Sequence, residues 1–205
     1  MLLRLCKCLM AVALLSLLGA CTTTRLVHEW MPSEAQVQVP VKSVLVMGIS
    51  KEEGPRRRFE DTFSASLALA GVKAVPMYKV HPELGEADPD KLKSLIAETG
   101  VDGILVTRLV RVDSREQVQG NAWPAPYMGF YGFYHNVWVN YDTVSVYKVA
   151  VMETNLWTGK TGQLLWSGTT ESTDPEDVKR IIDDFSKVVT DTLAKKGLIP
   201  PLPKS

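Results

Sequence analysis

Cys21 is the residue whose chemistry the sequence marks most clearly. It follows Leu18, Gly19 and Ala20 at the close of an apolar stretch. Gly19 and Ala20 are small, so a peptidase can approach the backbone directly before the cysteine. A cysteine thiolate is a strong nucleophile and could form a thioether with a lipid. The sequence therefore predicts that Cys21 is a modification site rather than a catalytic residue.

The twenty residues before Cys21 have the layout of a secretory signal. Arg4 and Lys7 give a positive start, and an apolar run follows over residues 9–18. A membrane-spanning helix needs roughly 20 apolar residues, so we expect segment 1–20 to be removed. The motif before Cys21 resembles the lipobox of bacterial lipoproteins. The resemblance implies a diacylglycerol on the Cys21 sulfur, cleavage just before it, and an N-acyl chain such as palmitate.

Cysteine usage and charge exclude several classes of protein. Cys6 and Cys8 lie in the signal, so Cys21 is the sole cysteine of the predicted mature chain. That count excludes disulfides, thiol catalysis and cysteine metal sites in the domain. The full chain has 23 basic and 23 acidic residues, and loss of Arg4 and Lys7 leaves a slight acidic excess. This balance does not indicate nucleic-acid binding.

Other reactive residue types form no catalytic pattern. His28, His81 and His135 are far apart in sequence and show no metal-ligand spacing. No serine lies in the glycine-flanked pattern of hydrolase nucleophiles. Asp183 and Asp184 are neighbours on one predicted helix and therefore do not converge on a common site. We expect no metal, no cofactor apart from the covalent lipid, and no enzymatic activity.

The turn 48–55 follows a predicted strand and precedes a helix, where α/β proteins often bind phosphates. It matches no dinucleotide or P-loop pattern, and Pro55 lacks an N–H donor, so we expect no nucleotide site.

Arg56, Arg57 and Arg58 then open the helix, where cations are mildly unfavourable. An anionic partner such as a lipid headgroup or glycan would reverse that sign. The alternative is a solvated first turn neutralised by nearby acidic residues.

The stretch 123–141 is the most distinctive part of the sequence, because it holds half of the aromatic residues. Tyr and Trp offer large contact area at little entropic cost, so this stretch is a candidate interaction surface. The alternative is a small core of its own, folded over the sheet. The candidate contact residues are Trp123, Tyr127, Phe130, Tyr131, Phe133, Tyr134 and Trp138.

The remaining sequence predicts the elements that position these residues. Residues 43–49 form a nearly continuous apolar run, which is typical of a strand buried on both faces. The predicted elements are strand 43–49, a helix ending at Gly71, strand 72–77, a helix from Asp88 to Gly100, strands 101–112, 143–157 and 163–170, and a helix from Asp174 to Gly197. This order predicts a single α/β sandwich, βαβαβ followed by a ββ hairpin and a C-terminal helix. The mixed sheet would have about five strands.

The predicted domain organisation has four parts. They are a signal peptide (1–20), a lipid anchor and tether (21–40), an α/β domain (41–198) with an aromatic loop (121–141), and a Pro-rich tail (199–205). At roughly 3.3 Å per residue, the tether could hold the domain up to about 60 Å from the membrane.

Several segments together resemble a family of uncharacterised Gram-negative bacterial lipoproteins. These segments are the lipobox, the strand 44–49, the helix start 57–61, the segment 100–106, the strand 153–157 and the segment 164–167. The likeness covers residues 40–195. More distantly, the layout is similar to the amino-terminal domain of TolB, to the CsgG curli-secretion lipoproteins and to the LpoB activator of peptidoglycan synthases.

The resemblance implies a non-enzymatic envelope protein that binds an envelope protein or peptidoglycan machinery, and it carries over no active site. Thr22, rather than Asp, follows Cys21. This resembles the pattern that sorts lipoproteins to the outer membrane, with the domain on the periplasmic face. Inner-membrane anchoring stays open. The alternative function is an oligomeric subunit of a CsgG-like secretion or assembly complex.

Overall fold

The computed structural model describes residues 23–33, 40–82, 89–119, 143–173 and 176–203. The strands are β1 (Thr24–Trp30), β2 (Ser43–Ile49), β3 (Lys73–Pro76), β4 (Gly103–Gln119), β5 (Thr143–Thr158) and β6 (Leu164–Thr173). The helices are α1 (Glu53–Leu69), α2 (Met77–Val80), α3 (Pro89–Thr99) and α4 (Val178–Lys195).

The strands form one six-stranded mixed sheet with the order β1-β6-β5-β4-β2-β3. β2 is parallel to both β3 and β4, and the pairs β4–β5, β5–β6 and β6–β1 are antiparallel. This arrangement confirms the predicted α/β class, with βαβαβ followed by a hairpin and a C-terminal helix. The sheet has one strand more than the expected five.

The additional strand is β1, which lies in the segment predicted to be a tether. It pairs antiparallel with β6 at the sheet edge, so residues 24–30 belong to the domain. Arg25, His28 and Glu29 interrupt the apolar positions of this segment, so its sequence does not indicate a strand clearly. Its pairing with β6 also shifts register between Leu26 and His28. Edge strands commonly carry such charges and bulges, which protect an open edge.

Two apolar clusters cover the two faces of the sheet. On one face, α1 and α4 pack together through Phe59, Phe63 and Phe185, whose ring centroids lie 5.4–5.7 Å apart. This cluster also contains the fully buried Trp166 of β6. On the other face, Leu45, Met47, Met77 and Val101 form a smaller cluster against α2 and α3.

Helix boundaries differ slightly from the predicted ones. α1 begins at Glu53, two residues before Pro55, so Arg56 to Arg58 lie beyond its first three residues. It ends before Gly71, whose φ of 75° is the left-handed conformation that glycine adopts without strain. α4 begins after Asp177, whose carboxylate accepts from the Arg180 backbone N–H at 3.0 Å.

Candidate functional site

The strand directions define two ends of the sheet. At the Thr24 end, β1 begins while β2, β4 and β6 finish. α1 and α4 also begin there, because each follows a strand that ends at this edge. At the opposite, Trp30 end, β1 finishes and β2, β4 and β6 begin.

An apolar groove opens at the Thr24 end, between the first turns of α1 and α4 and the strands beneath them. Its volume is about 320 Å³, and apolar side chains dominate its lining. The residues that line this apolar groove are Gly48, Ile49, Ser50, Pro55, Arg56, Phe59, Thr107, Leu109, Val112, Ala150, Met152, Val178, Ile181 and Ile182. A concave, largely apolar surface of this kind is suited to binding apolar groups.

Gly48 and Phe59 shape the floor of the apolar groove. A Cβ atom on Gly48 would lie only 2.9 Å from Cδ1 of Phe59, so a larger residue would displace the ring. The ring is packed against Phe63 and Phe185 and has little room to move. Glycine within this strand therefore lets the backbone approach the ring closely.

The rim of the apolar groove exposes large apolar side chains. Leu109, for example, is 56% exposed. Six of the nine exposed large apolar residues in the described ranges lie at the Thr24 end: Ile49, Leu109, Val110, Val112, Val146 and Val178. Single exposed apolar residues are common, but a cluster beside a groove marks an interaction surface.

Arg56 and Glu60 form a buried polar wall beside the apolar groove. The Glu60 carboxylate accepts from the Gly48 N–H at 3.1 Å and from the Tyr78 N–H at 2.8 Å. Burial raises the pKa of Glu60, while those two amide donors and the nearby Arg56 act in the opposite direction. Arg56 donates from Nη2 to the Pro82 carbonyl at 3.0 Å. Both side chains therefore hold the end of β2 and the α2 segment to α1.

The three consecutive arginines do not form one exposed cationic patch, which corrects the grouping predicted from sequence. Arg56 is 5% exposed, whereas Arg57 and Arg58 are exposed. Arg57 forms an ion pair with Glu53 and lies 5.2 Å from the centre of the Tyr78 ring. The sequence held a signal for this difference, because Arg56 precedes Phe59 by three residues and shares its helix face.

A charged surface lies on the sheet across β1, β4 and β6. Arg115 and Arg25 both donate to the carboxylate of Glu171. The Arg115 guanidinium, with Arg25 as the second donor, lowers the pKa of Glu171 to about 2. Arg25 lies directly opposite Glu171 on the neighbouring strand, which is typical of cross-strand stabilisation, whereas Arg115 reaches Glu171 across β5.

A second depression, of about 630 Å³, lies at the Trp30 end between α3 and the turn after β5. Lys93 and Lys160 stand at its edge, and its floor contains Val101 and Ile104, which are buried. None of the nine exposed large apolar residues of the described ranges lines it. The Thr24 end is therefore the stronger candidate site.

Several predicted site residues lie outside the described residues. These are Cys21 and the aromatic candidates Trp123, Tyr127, Phe130, Tyr131, Phe133, Tyr134 and Trp138. In the ranges that are described, no group of three His, Cys, Asp or Glu residues is placed to hold a metal ion. No helix of those ranges has the length and apolarity needed to cross a membrane.

Fold and groove together define the class of molecule: a mixed α/β domain with a solvent-open apolar groove at one end of its sheet. No family model matches the chain, and no curated protein matches it. The chain is similar to the PelC dodecamer from Paraburkholderia phytofirmans, at 11% identity and a TM-score of 0.43. That match covers 82% of this chain and 97% of the other.

Two further solved structures are described as lipoproteins. Lipoprotein GNA1162 from Neisseria meningitidis is 15% identical, with a TM-score of 0.38, and the match covers 65% of this chain and 81% of that one. A minor lipoprotein from Acinetobacter baumannii is 12% identical, with a TM-score of 0.31, and the match covers 80% and 98%. Likenesses at this level transfer no function to the present chain.

Proposed function

We propose that this protein is an envelope lipoprotein, anchored through lipid on Cys21 to the periplasmic face of the outer membrane. Its α/β domain acts as a non-enzymatic binding module for another envelope component. The observation that carries the binding role is the apolar groove with its rim of exposed apolar side chains. Such a rim costs solubility in a free domain, and it favours a protein that works in contact with another surface.

The groove is built for binding rather than for proton or group transfer. Its polar side chains are Ser50, Arg56 and Thr107. Arg56 donates to the Pro82 carbonyl, and the Thr107 and Thr154 hydroxyls lie 3.0 Å apart in a hydrogen bond. These groups are engaged in holding the fold, which leaves apolar contact as the main property that the groove offers a ligand.

The anchor is tested by Cys21→Ser. We expect the wild-type protein to incorporate labelled palmitate and to fractionate with the outer membrane. The variant should take up no label and should leave the membrane fraction as an intact protein. Labelling of the variant, or equal outer-membrane recovery of both proteins after a high-salt wash, would contradict anchoring through Cys21.

The binding role is tested by photocrosslinking in cells. A crosslinking residue at Ile49, on the rim of the groove, should capture an envelope component, and Leu69 provides a matched exposed apolar position at the Trp30 end. Crosslinkers at positions 127, 131 and 134 test the predicted aromatic contact surface in the same way. Equal products from Ile49 and Leu69 would argue against a binding site at the groove.

A second candidate function is an oligomeric subunit of a secretion or assembly complex. The observation that favours it is the edge of β4. β2 ends at Ile49 opposite Arg108, whereas β4 continues to Gln119. Beyond Arg108, the described residues place no strand against this edge of β4, and open strand edges are templates for pairing with another chain.

Sizing of the detergent-solubilised lipoprotein separates the two functions. A ring requires a discrete oligomer, and Val110→Pro would weaken one that pairs along β4 beyond Arg108, because proline disfavours strand pairing. A monomer over the whole concentration range would leave the single-copy binding module as the function.

A further inference from the structure

The chain between Cys21 and the domain is very short. The described structure begins at Thr23, whose backbone N–H and hydroxyl both donate to the Asp184 carboxylate of α4 at 2.8 Å. The Thr23 carbonyl in turn accepts from the Thr173 N–H at 2.9 Å. Only Thr22 separates this held residue from Cys21. At roughly 3.5 Å per residue, the Cα atom of Cys21 stands within about 7 Å of that of Thr23.

This attachment point lies at the same end of the sheet as the apolar groove. Thr24 is opposite Ser172, Ser172 is opposite Ala150, and Ala150 is opposite Val112. These four residues form one row across the sheet, and Ala150 and Val112 both line the groove. Neighbouring strands are about 4.8 Å apart, so Thr24 lies roughly 14 Å from Val112 in the lining of the groove.

The exposed apolar residues show the same bias. Six of the nine that the described ranges contain are at the Thr24 end, as given above. Trp30 and Leu69 lie at the opposite end, where β1 and α1 finish. A lipid on Cys21 would thus be attached beside the largest cluster of exposed apolar residues in the described ranges.

We infer that the Thr24 end of the domain rests on the lipid bilayer, with the rim of the apolar groove in contact with lipid acyl chains. This inference rests on the proposed function: it takes the lipidation of Cys21 as given, and it names the lipid bilayer as the envelope component that the groove contacts. A lipid anchor within a few residues of a folded edge brings that edge to the membrane surface. Apolar side chains there enter the boundary between headgroups and acyl chains, as the apolar faces of interfacial helices do.

The surface charges do not oppose this placement. At this end of the sheet, basic and acidic residues lie together, as in the pairs Lys148–Glu176, at 4.0 Å, and Arg111–Asp113, at 2.9 Å. The mixture gives no strong field of either sign, so the contact depends on apolar burial. We therefore expect little dependence on salt or on anionic lipid, because screening acts on charge interactions.

The test uses the full lipidated protein in vesicles of phosphatidylethanolamine and phosphatidylglycerol. The variants Leu109→Cys and Val178→Cys carry an environment-sensitive fluorophore at the groove rim. The control variant Leu69→Cys carries it at the Trp30 end, where the native leucine is 75% exposed. An acylated Cys21 does not react with the label, so the parent protein should stay unlabelled.

We expect the labels at 109 and 178 to shift to shorter wavelength and to lose about half of their fluorescence to nitroxide-labelled phospholipids, as interfacial burial predicts. The label at 69 should be unaffected. Equal quenching at all three positions, or none at 109 and 178, would overturn the inference. Shielding of 109 and 178 from aqueous quencher without lipid quenching would instead assign the rim to a second copy or another protein, and would also overturn it.

The same samples separate this inference from the proposed function. If the parent protein takes the label, or fails to enter vesicles, then Cys21 is not acylated and the proposed anchoring has failed. If the parent is unlabelled and vesicle-bound but the rim positions report water, then the anchor stands and the membrane contact of the groove is refuted.

Discussion

The two ends of the sheet differ in how much apolar surface they expose. At the Trp30 end, the Asp102 carboxylate accepts from both backbone and side chain of Ser43, and the Gly159 N–H donates to the Asp102 carbonyl at 2.7 Å. The Val41 N–H also donates to the Leu198 carbonyl at 2.7 Å. At the Thr24 end, the strands finish at different heights and leave a groove with apolar walls.

The difference separates residues that hold the fold together from residues that leave apolar surface exposed. Backbone groups at the Trp30 end are joined by hydrogen bonds between distant parts of the chain, which fixes the sheet and its connections. Apolar residues at the Thr24 end stay exposed although burial would stabilise the domain. The three predictions below test this contrast, in order of decreasing effect.

The largest effect is expected at the Trp30 end. In Gly159→Ala, the new Cβ would lie 2.1 Å from the Val101 carbonyl oxygen, so the backbone must shift and the bond to Asp102 is strained. We expect the free energy of unfolding to fall by about 3 kcal/mol. Urea denaturation followed by circular dichroism measures this loss.

Gly54→Ala is the matched control at the Thr24 end. A Cβ built on Gly54, the second residue of α1, would meet no described atom within 4 Å beyond its chain neighbours and its own helix backbone. Alanine favours a helix over glycine, so the stability should stay equal or rise by up to about 1 kcal/mol. A similar loss in the free energy of unfolding for both variants would mean that packing at these two glycines does not differ between the ends.

An intermediate effect is expected for Glu60→Gln. Each carboxylate oxygen of Glu60 accepts one backbone N–H, from Gly48 or from Tyr78. An amide would place its NH₂ against one of these donors, and we expect a loss of about 2 kcal/mol. Thermal unfolding measures the loss, with the exposed Glu53→Gln as the control. No difference between the variants would show that the wall beside the groove is not held by this carboxylate.

The smallest effect concerns pH and Glu171. Because the pKa of Glu171 is about 2 in the folded protein and near 4.5 in the unfolded chain, its stabilisation is complete above pH 4.5. It is lost as the pH falls towards 2. Glu171→Gln should cost about 1 kcal/mol at neutral pH and should cost progressively less below pH 4.5. An equal cost at every pH would contradict the assignment to the carboxylate's charge.

The core strands of the fold were predictable because their sequences are unambiguous. Residues 43–49 form a nearly continuous apolar run, and the structure places β2 over those residues, with Leu45 and Val46 fully buried. The sequence predicts a tether over β1 because charged residues hide the strand pattern, and its pairing depends on a strand about 140 residues away. Non-local pairing of this kind leaves little local signal.

The groove could not be predicted from residue types. Ile49, Leu109 and Val178 have the same character as core residues, but they are exposed at the end of β2, just beyond that end on β4, and at the first residue of α4. Whether an apolar residue is buried or exposed depends on whether an adjacent strand or helix extends far enough to cover it. Arg56 is the converse case, since its charge suggested exposure while its position on the face of Phe59 buried it.

The position of β1 also sets the order of events during biogenesis. Thr24 pairs with Ser172, so β1 cannot pair with β6 until almost the whole chain has been synthesised. Under the proposed lipidation of Cys21, the acylating and cleaving enzymes would act before this pairing forms. Docking of β1 ends this interval, because Thr23 is then held by Asp184. Once the fold is complete, Cys21 would thus be less accessible to the maturation enzymes. A chain that folds before acylation would become a poor substrate for them.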